Sequence, residues 1–189
     1  MQSDKLLIGY QSPAFSDIEH VQLDFLSELL LGSHSSPIYR DLVVDREIVS
    51  SIGASVTPFR DPGLWEVAAS LKRGHSAEEA LALFDAHLLK VQQSGVSSDD
   101  VERTRARLLT EFYGGMRTAH GKAAQLGEFD TVAGDYRALF DAPSQIRAVT
   151  AAELQAVARK YLLPERRTLL IVRPDVKPKA RAKKSAERA

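Results

Sequence analysis

Asp61-Pro62-Gly63 separates two runs of strand character, Val49–Val56 and Leu64–Leu71, and helical periodicity flanks the pair on both sides. Proline presets the backbone of a turn and glycine tolerates the conformations that close it, so the chain reverses there. The two runs are then predicted to pair antiparallel. Lys5-Leu6-Leu7-Ile8-Gly9-Tyr10 reads as an earlier strand, and Arg167-Thr168-Leu169-Leu170-Ile171-Val172 as a final one. A hairpin with long helical crossovers on either side predicts an α+β domain: a mostly antiparallel sheet with helices packed on it.

The helices are bounded by local signals. Ser16 with Glu19, Ser76 with Glu79 and Thr150 with Glu153 each have the spacing of a capping box, which ties down backbone amides at a helix start. After the first box, Ile18, Val21, Phe25, Leu26, Leu29 and Leu30 share one helical face, and Gly32 stops the helix. Ser36-Pro37 opens a short second helix carrying Ile38, Tyr39, Leu42 and Val43. After the hairpin, Ala77, Leu81, Phe84, Leu88 and Val91 form one seam, and Val101, Leu108, Leu109, Phe112 and Met116 the next. Asp99 and Asp100 sit in the first turn of that long helix, where its dipole favours negative charge. Gly114-Gly115 is expected to bend or break it, with helical pattern resuming through Ala123 and Leu126 to Phe129. The last helix buries Leu154, Val157, Ala158 and Tyr161, and Pro164 closes it.

Charge divides the chain unevenly. Of 25 basic and 25 acidic residues, six basic and two acidic ones lie beyond Arg173, leaving 19 basic against 23 acidic over residues 1–173. Residues 1–173 therefore read as one domain, and 174–189 as a basic, disordered tail. A mildly acidic body is no nucleic-acid grip, and its strands carry serine, alanine and valine where an RNA-binding sheet carries stacking aromatics. With no cysteine, disulfides and thiolate chemistry are excluded. No apolar run reaches the roughly 18–20 residues of a bilayer span, and the opening apolar run is too short for a signal peptide. The expectation is a soluble domain with no membrane partner and no assignable compartment.

The residues that could carry chemistry do not converge. None of His20, His34, His75, His87 and His120 is paired at the i, i+4 spacing that brings two imidazoles to one metal. His75-Ser76-Ala77-Glu78-Glu79 approaches H-x-x-E-H, but its last position is Glu79, which the capping box explains. There is no G-x-S-x-G elbow and no phosphate-binding glycine loop. Trp65 and Tyr113 read as core or interface residues. No catalytic residue and no metal ligand is assigned to this chain.

The ordered phrases are more specific. Leu6-Leu7-Ile8-Gly9-Tyr10-Gln11-Ser12-Pro13, Asp17, Leu30-Leu31-Gly32-Ser33 and Ser35-Ser36-Pro37-Ile38-Tyr39-Arg40-Asp41-Leu42-Val43 follow one another. Ser50-Ser51-Ile52-Gly53-Ala54-Ser55, Asp61-Pro62-Gly63-Leu64-Trp65, Ile146-Arg147-Ala148-Val149-Thr150, Val157-Ala158-Arg159-Lys160-Tyr161-Leu162 and Arg173-Pro174 complete the series. Over about residues 5–174 this order resembles the C-terminal, zinc-free domain of the pitrilysin/insulinase family of zinc metallopeptidases, which includes the mitochondrial processing peptidases.

The resemblance implies a LuxS/processing-peptidase type of fold. It also implies a partner domain of similar fold that carries the zinc, with none in this chain, and a peptide substrate enclosed between the two. Many zinc-free domains of the family place an arginine and, seven residues on, a tyrosine beside the reacting peptide. Those positions fall here on Val43 and Ser50, which supply neither the charge nor the phenol; Arg40 is the nearby candidate for substrate or interface contact. Two readings follow: the non-catalytic half of a zinc endopeptidase, or an assembly module from a relative without proteolysis. A homodimer is a further expected mode of association, since symmetric pairing is the commonest.

Overall fold

The computed structural model describes residues 3–173, so the expectation of a disordered tail at 174–189 lies outside the described residues. Strand β1 (Lys5–Gln11) leads to α1 (Ile18–Leu31), then to a short α2 (Pro37–Tyr39) that continues into a π-helical turn, Arg40–Asp45. The hairpin is β2 (Val49–Val56) and β3 (Leu64–Leu71). Five helices follow: α3 (Ala77–Ser94), α4 (Ser98–Gly115), α5 (Ala119–Val132), α6 (Ala138–Ala148) and α7 (Ala151–Tyr161). Strand β4 (Arg167–Val172) closes the described chain. The strands form one sheet in the order β2-β3-β1-β4, antiparallel throughout.

Alternation decides which strand residues face the helices. Leu6, Ile8 and Tyr10 on β1, and Trp65, Val67, Ala69 and Leu71 on β3, are buried on one side of the pleat. Opposite them lies α1, where Leu23, Phe25, Leu26, Leu29, Leu30 and Leu31 are all buried. α1 packs against β2 on one flank and α4, α6 and α7 on others. It is therefore enclosed nearly all round, whereas the sequence pattern predicts a single apolar face. Ile18, expected on that face, is 49% exposed at the helix start.

Capping also differs from expectation. Asp17, not Ser16, precedes α1, and no side chain caps it. Glu19 instead reaches α7, accepting hydrogen bonds from Lys160 Nζ at 2.6 Å and Tyr161 Oη at 2.5 Å. Only half of the Ser76–Glu79 box forms: the Glu79 amide donates to Ser76 Oγ at 3.1 Å, while the Glu79 carboxylate pairs with His75. Thr150 and Glu153 form the complete box. α4 ends at Gly115 and α5 starts at Ala119, so the double glycine is a break. α6 has no counterpart in the periodicity reading; it has Pro143 inside it and no side-chain cap. Tyr113 is half exposed and accepts a hydrogen bond from Arg147.

Trp65, the sole tryptophan, is fully buried and lies against the rings of Tyr10 and Phe84. Its indole Nε1–H donates to Ser27 Oγ on α1 at 2.9 Å. Removing that acceptor strands a buried donor, which costs about 1–3 kcal/mol. Ser27→Ala is thus expected to lower the urea midpoint, followed by Trp65 fluorescence; an unchanged midpoint would show that the bond contributes nothing.

Candidate functional site

The sheet face turned away from α1 is uncovered by any described element. Because pairing is in register, its side chains form rows across the four strands. Gly53, Ala68, Leu7 and Leu170 make one row, and Ser55, Glu66, Gly9 and Thr168 the next. Ser51, Ser70, Lys5 and Val172 make a third. The surface is concave and encloses about 700 Å³. Leu7 is 41% exposed and Leu170 55%, so the middle row is an apolar strip between polar ones. A β-carbon added at Gly53 would meet nothing within 4 Å, which leaves that part of the floor open.

Of the three positions singled out by resemblance, Ser50 lies on the edge strand β2, and Arg40 and Val43 lie on the π turn that precedes it. Ser50 is the extra residue of a β-bulge between Val49 and Ser51. A bulge turns successive side chains to the same side, and both Ser50 and Ser51 are exposed. The Ser50 hydroxyl donates to the Ser70 carbonyl at 3.0 Å, closing the gap in the ladder. Val43 lies on the π turn and packs, half buried, against the core. Arg40 begins the same turn and pairs with Asp45 at 3.4 Å. Among the described residues no hydrogen bond or ion pair joins Arg40 to Ser50.

A buried polar link holds the π turn to α3. His87 Nε2 lies 2.9 Å from Asp41 Oδ2, and Arg46 Nε donates to Asp41 Oδ1 at 2.8 Å. Burial opposes ionisation of Asp41, but the bonds to His87 and Arg46 outweigh it and hold its pKa below the ordinary carboxylate value. A lowered folded-state pKa gives stability that is present above the unfolded value and lost as pH falls through the folded one. Asp41→Asn should therefore lower the melting temperature at pH 7, with the difference shrinking in acid below the ordinary pKa of about 3.9. A difference that does not depend on pH would rule out this linkage.

The open face has no catalytic constellation. The hydroxyls of Ser51 and Ser55 have no base within hydrogen-bond reach, and Glu66 is the one carboxylate on the floor. Among the described residues no three His, Asp or Glu side chains converge where a metal could sit. His75 pairs with Glu79, His87 with Asp41, and His34 lies edge-on to Tyr39. Nor is any helix among the described residues long and apolar enough to cross a membrane.

Sequence reasoning placed Ser50 beside the sheet but missed Leu7, Gly9, Gly53, Ala68 and Leu170 as one surface. The usable signal was strand alternation, which puts those residues on the side opposite Trp65 and Tyr10 once the pairing is known.

Comparison with known proteins agrees with this geometry. The family model described as the peptidase M16 inactive domain matches residues 1–108. The zinc protease PqqE of Helicobacter pylori is 22% identical over 167 residues, covering 88% of this chain and 37% of the relative. An uncharacterized zinc protease of Streptomyces coelicolor, SCO5738, is 23% identical over 169 residues, covering 89% of this chain and 36% of the relative. The chain thus spans little more than a third of those relatives. The solved inactive peptidase domain of a Bordetella parapertussis protein superposes with a TM-score of 0.85 at 23% identity, covering 96% of each chain. With a matching family model over more than half its length and the same fold, this chain belongs to the peptidase M16 inactive-domain family, the zinc-free C-terminal domain of the pitrilysin/insulinase type.

Proposed function

We propose that this domain is the non-catalytic half of a zinc-dependent endopeptidase, and that its open sheet face encloses and orients an unfolded peptide. The observation that carries this is the apolar strip Gly53–Ala68–Leu7–Leu170, left in solvent on a sheet whose other face carries the packed core. An exposed apolar patch of this kind marks an interaction surface. Four strands spaced about 4.8 Å apart are some 14 Å wide, which about four residues of an extended peptide would cross. Its side chains would meet Leu7 and Leu170, and its polar groups the hydroxyls of Ser51, Ser55 and Thr168. A zinc ion in a partner domain of the same family, in this chain's parent or in another subunit, would activate water and polarise the scissile carbonyl. Holding the peptide in register is the part left to this chain.

The substitutions at the arginine and tyrosine positions favour one alternative: an assembly module from a relative that has lost proteolysis. Val43 packs half-buried against the core and the Ser50 hydroxyl is spent on the bulge, so neither offers a charge or a phenol to a reacting peptide.

The chain alone is expected to leave an unfolded peptide intact, and cleavage should appear when the zinc-bearing domain is added. Gly53→Trp fills the open floor without touching the core, so it should leave the melting temperature unchanged. In the mixture it should lower kcat/KM by roughly ten- to a hundredfold, the cost of misplacing a substrate. Full activity of Gly53→Trp would remove the sheet face from the mechanism. Coelution of the two domains without cleavage of any peptide would favour the assembly reading. Val43→Arg with Ser50→Tyr tests whether the pair restores activity, and size-exclusion chromatography over a concentration series shows whether a second copy covers the face.

A further inference from the structure

A second cleft lies on the helical side, between α1, α4, α5 and α6, and encloses about 260 Å³. Its walls are aromatic: Phe15 and Phe129 meet edge to face at 5.1 Å, and Phe112 faces them from α4. Its polar groups are His20, Asp24, Gln125, Glu128 and Gln145. Gln125 Oε1 is enclosed and accepts no hydrogen bond from the described residues. The Asp24 carboxylate likewise takes part in no hydrogen bond or ion pair among them; the charges that act on it are those of Glu28, Glu111 and Arg107. Arg107 is committed elsewhere, to Glu28 at 2.5 Å and Glu111 at 3.2 Å.

Asp24 is half-buried at the cleft wall, and beside it the enclosed Gln125 Oε1 lacks the donor that enclosed polar groups ordinarily find. Desolvation, then repulsion from Glu28 and Glu111, pushes the pKa of Asp24 up to about 6, against the pull of Arg107. The carboxyl is thus still ionised at pH 8. An asparagine would fill the same volume without that cost, so the charge is a liability unless a cation meets it. Facing aromatic rings favour a cation further. His20, on the same wall, has its pKa lowered chiefly by burial, so it adds no positive charge in alkaline solution.

We infer that this cleft binds a small organic cation, a primary ammonium on an apolar stem, whose N–H groups donate to Asp24 and Gln125 Oε1 while Phe15, Phe112 and Phe129 enclose the stem. The volume lies below the roughly 300–1,000 Å³ of drug-sized pockets, which limits the ligand to a small amine. The inference is independent of the reading of the sheet face.

Titration of the full chain with 2-phenylethylammonium at pH 8, followed by NMR, should give saturable shifts centred on Phe15, Asp24, Phe112, Gln125 and Phe129. Charge-assisted hydrogen bonds are about twice as strong as neutral ones. Neutral 2-phenylethanol, and the amine against Asp24→Asn, should therefore bind at least about tenfold more weakly. Lowering the pH from 8 to 5 should weaken the unaltered protein's binding as Asp24 protonates. The same comparison in His20→Asn separates that response from charging of the imidazole; the other charged groups around Asp24 are Glu28, Glu111, Glu128 and Arg107. Nα-acetyl-lysine amide, titrated in parallel, distinguishes a free amine from a lysine side chain; binding of either supports the site. A raised folded-state pKa means stability present at low pH and lost as pH rises through about 6. Asp24→Asn should accordingly be the more stable protein at pH 8, with a smaller difference at pH 4. Absence of saturable binding by both amines, equal binding of the alcohol, or a pH-independent affinity in both the unaltered and His20→Asn proteins would overturn the inference.

Discussion

Burial of α1 on nearly every side is the constraint around which the rest of the molecule is arranged. A helix that exposes one stripe can rest on a sheet, but a helix with Leu23, Phe25, Leu26, Leu29, Leu30 and Leu31 all buried needs neighbours on its far side as well. α4, α6 and α7 supply them, and the long crossovers after the hairpin exist to bring them there. The polar groups that enter this core come with partners chosen by geometry. Ser27 meets the Trp65 indole, and Glu28 at the end of α1 receives Arg107 at both its carboxylate and its backbone carbonyl.

The same device secures the ends of other helices. Helix C-termini leave carbonyls without intrahelical partners. Arg107 Nη2 donates to the Glu28 carbonyl at 2.9 Å, and Arg105 Nη2 to the Val149 carbonyl at 2.5 Å. Gln92 on α3 donates to the carbonyls of Ala158 and Leu162 at the end of α7, and Gln155 and Arg159 return bonds to the Gln92 carbonyl. These side chains satisfy the ends of α1, α6 and α7 and fix the angle at which each helix approaches its neighbour. Opposite-charge attraction to the helix dipole adds to the arginine bonds.

Packing α1 on one face of the sheet leaves the other face without a partner among the described residues. A sheet that were merely solvated would carry alternating polar side chains there. The middle row instead holds glycine, alanine and leucine, while the bulge at Ser50 bends the edge strand beside it. The packed core and the open face proposed to meet a peptide are therefore two sides of one pleat, set by the same alternation.

By itself the sequence determined the elements and the class. The hairpin around Asp61-Pro62-Gly63, the break at Gly114-Gly115 and the capping box of Thr150 and Glu153 are local, encoded within a few residues of one another. The tertiary structure decided everything that depends on distant chain segments. Glu19 could cap its own helix three residues from Ser16, yet it reaches Lys160 and Tyr161, 141 and 142 residues away, because α1 and α7 are packed together. Val43 and Ser50 were legible as positions, but the packing of Val43 against the core and the use of Ser50 in the bulge were not. The row from Gly53 to Leu170 and the isolated carboxylate of Asp24 arise only when strands far apart in sequence come into register and helices close over a charge. Local propensity carries no information about either, since both follow from which surfaces the folded chain can bury together.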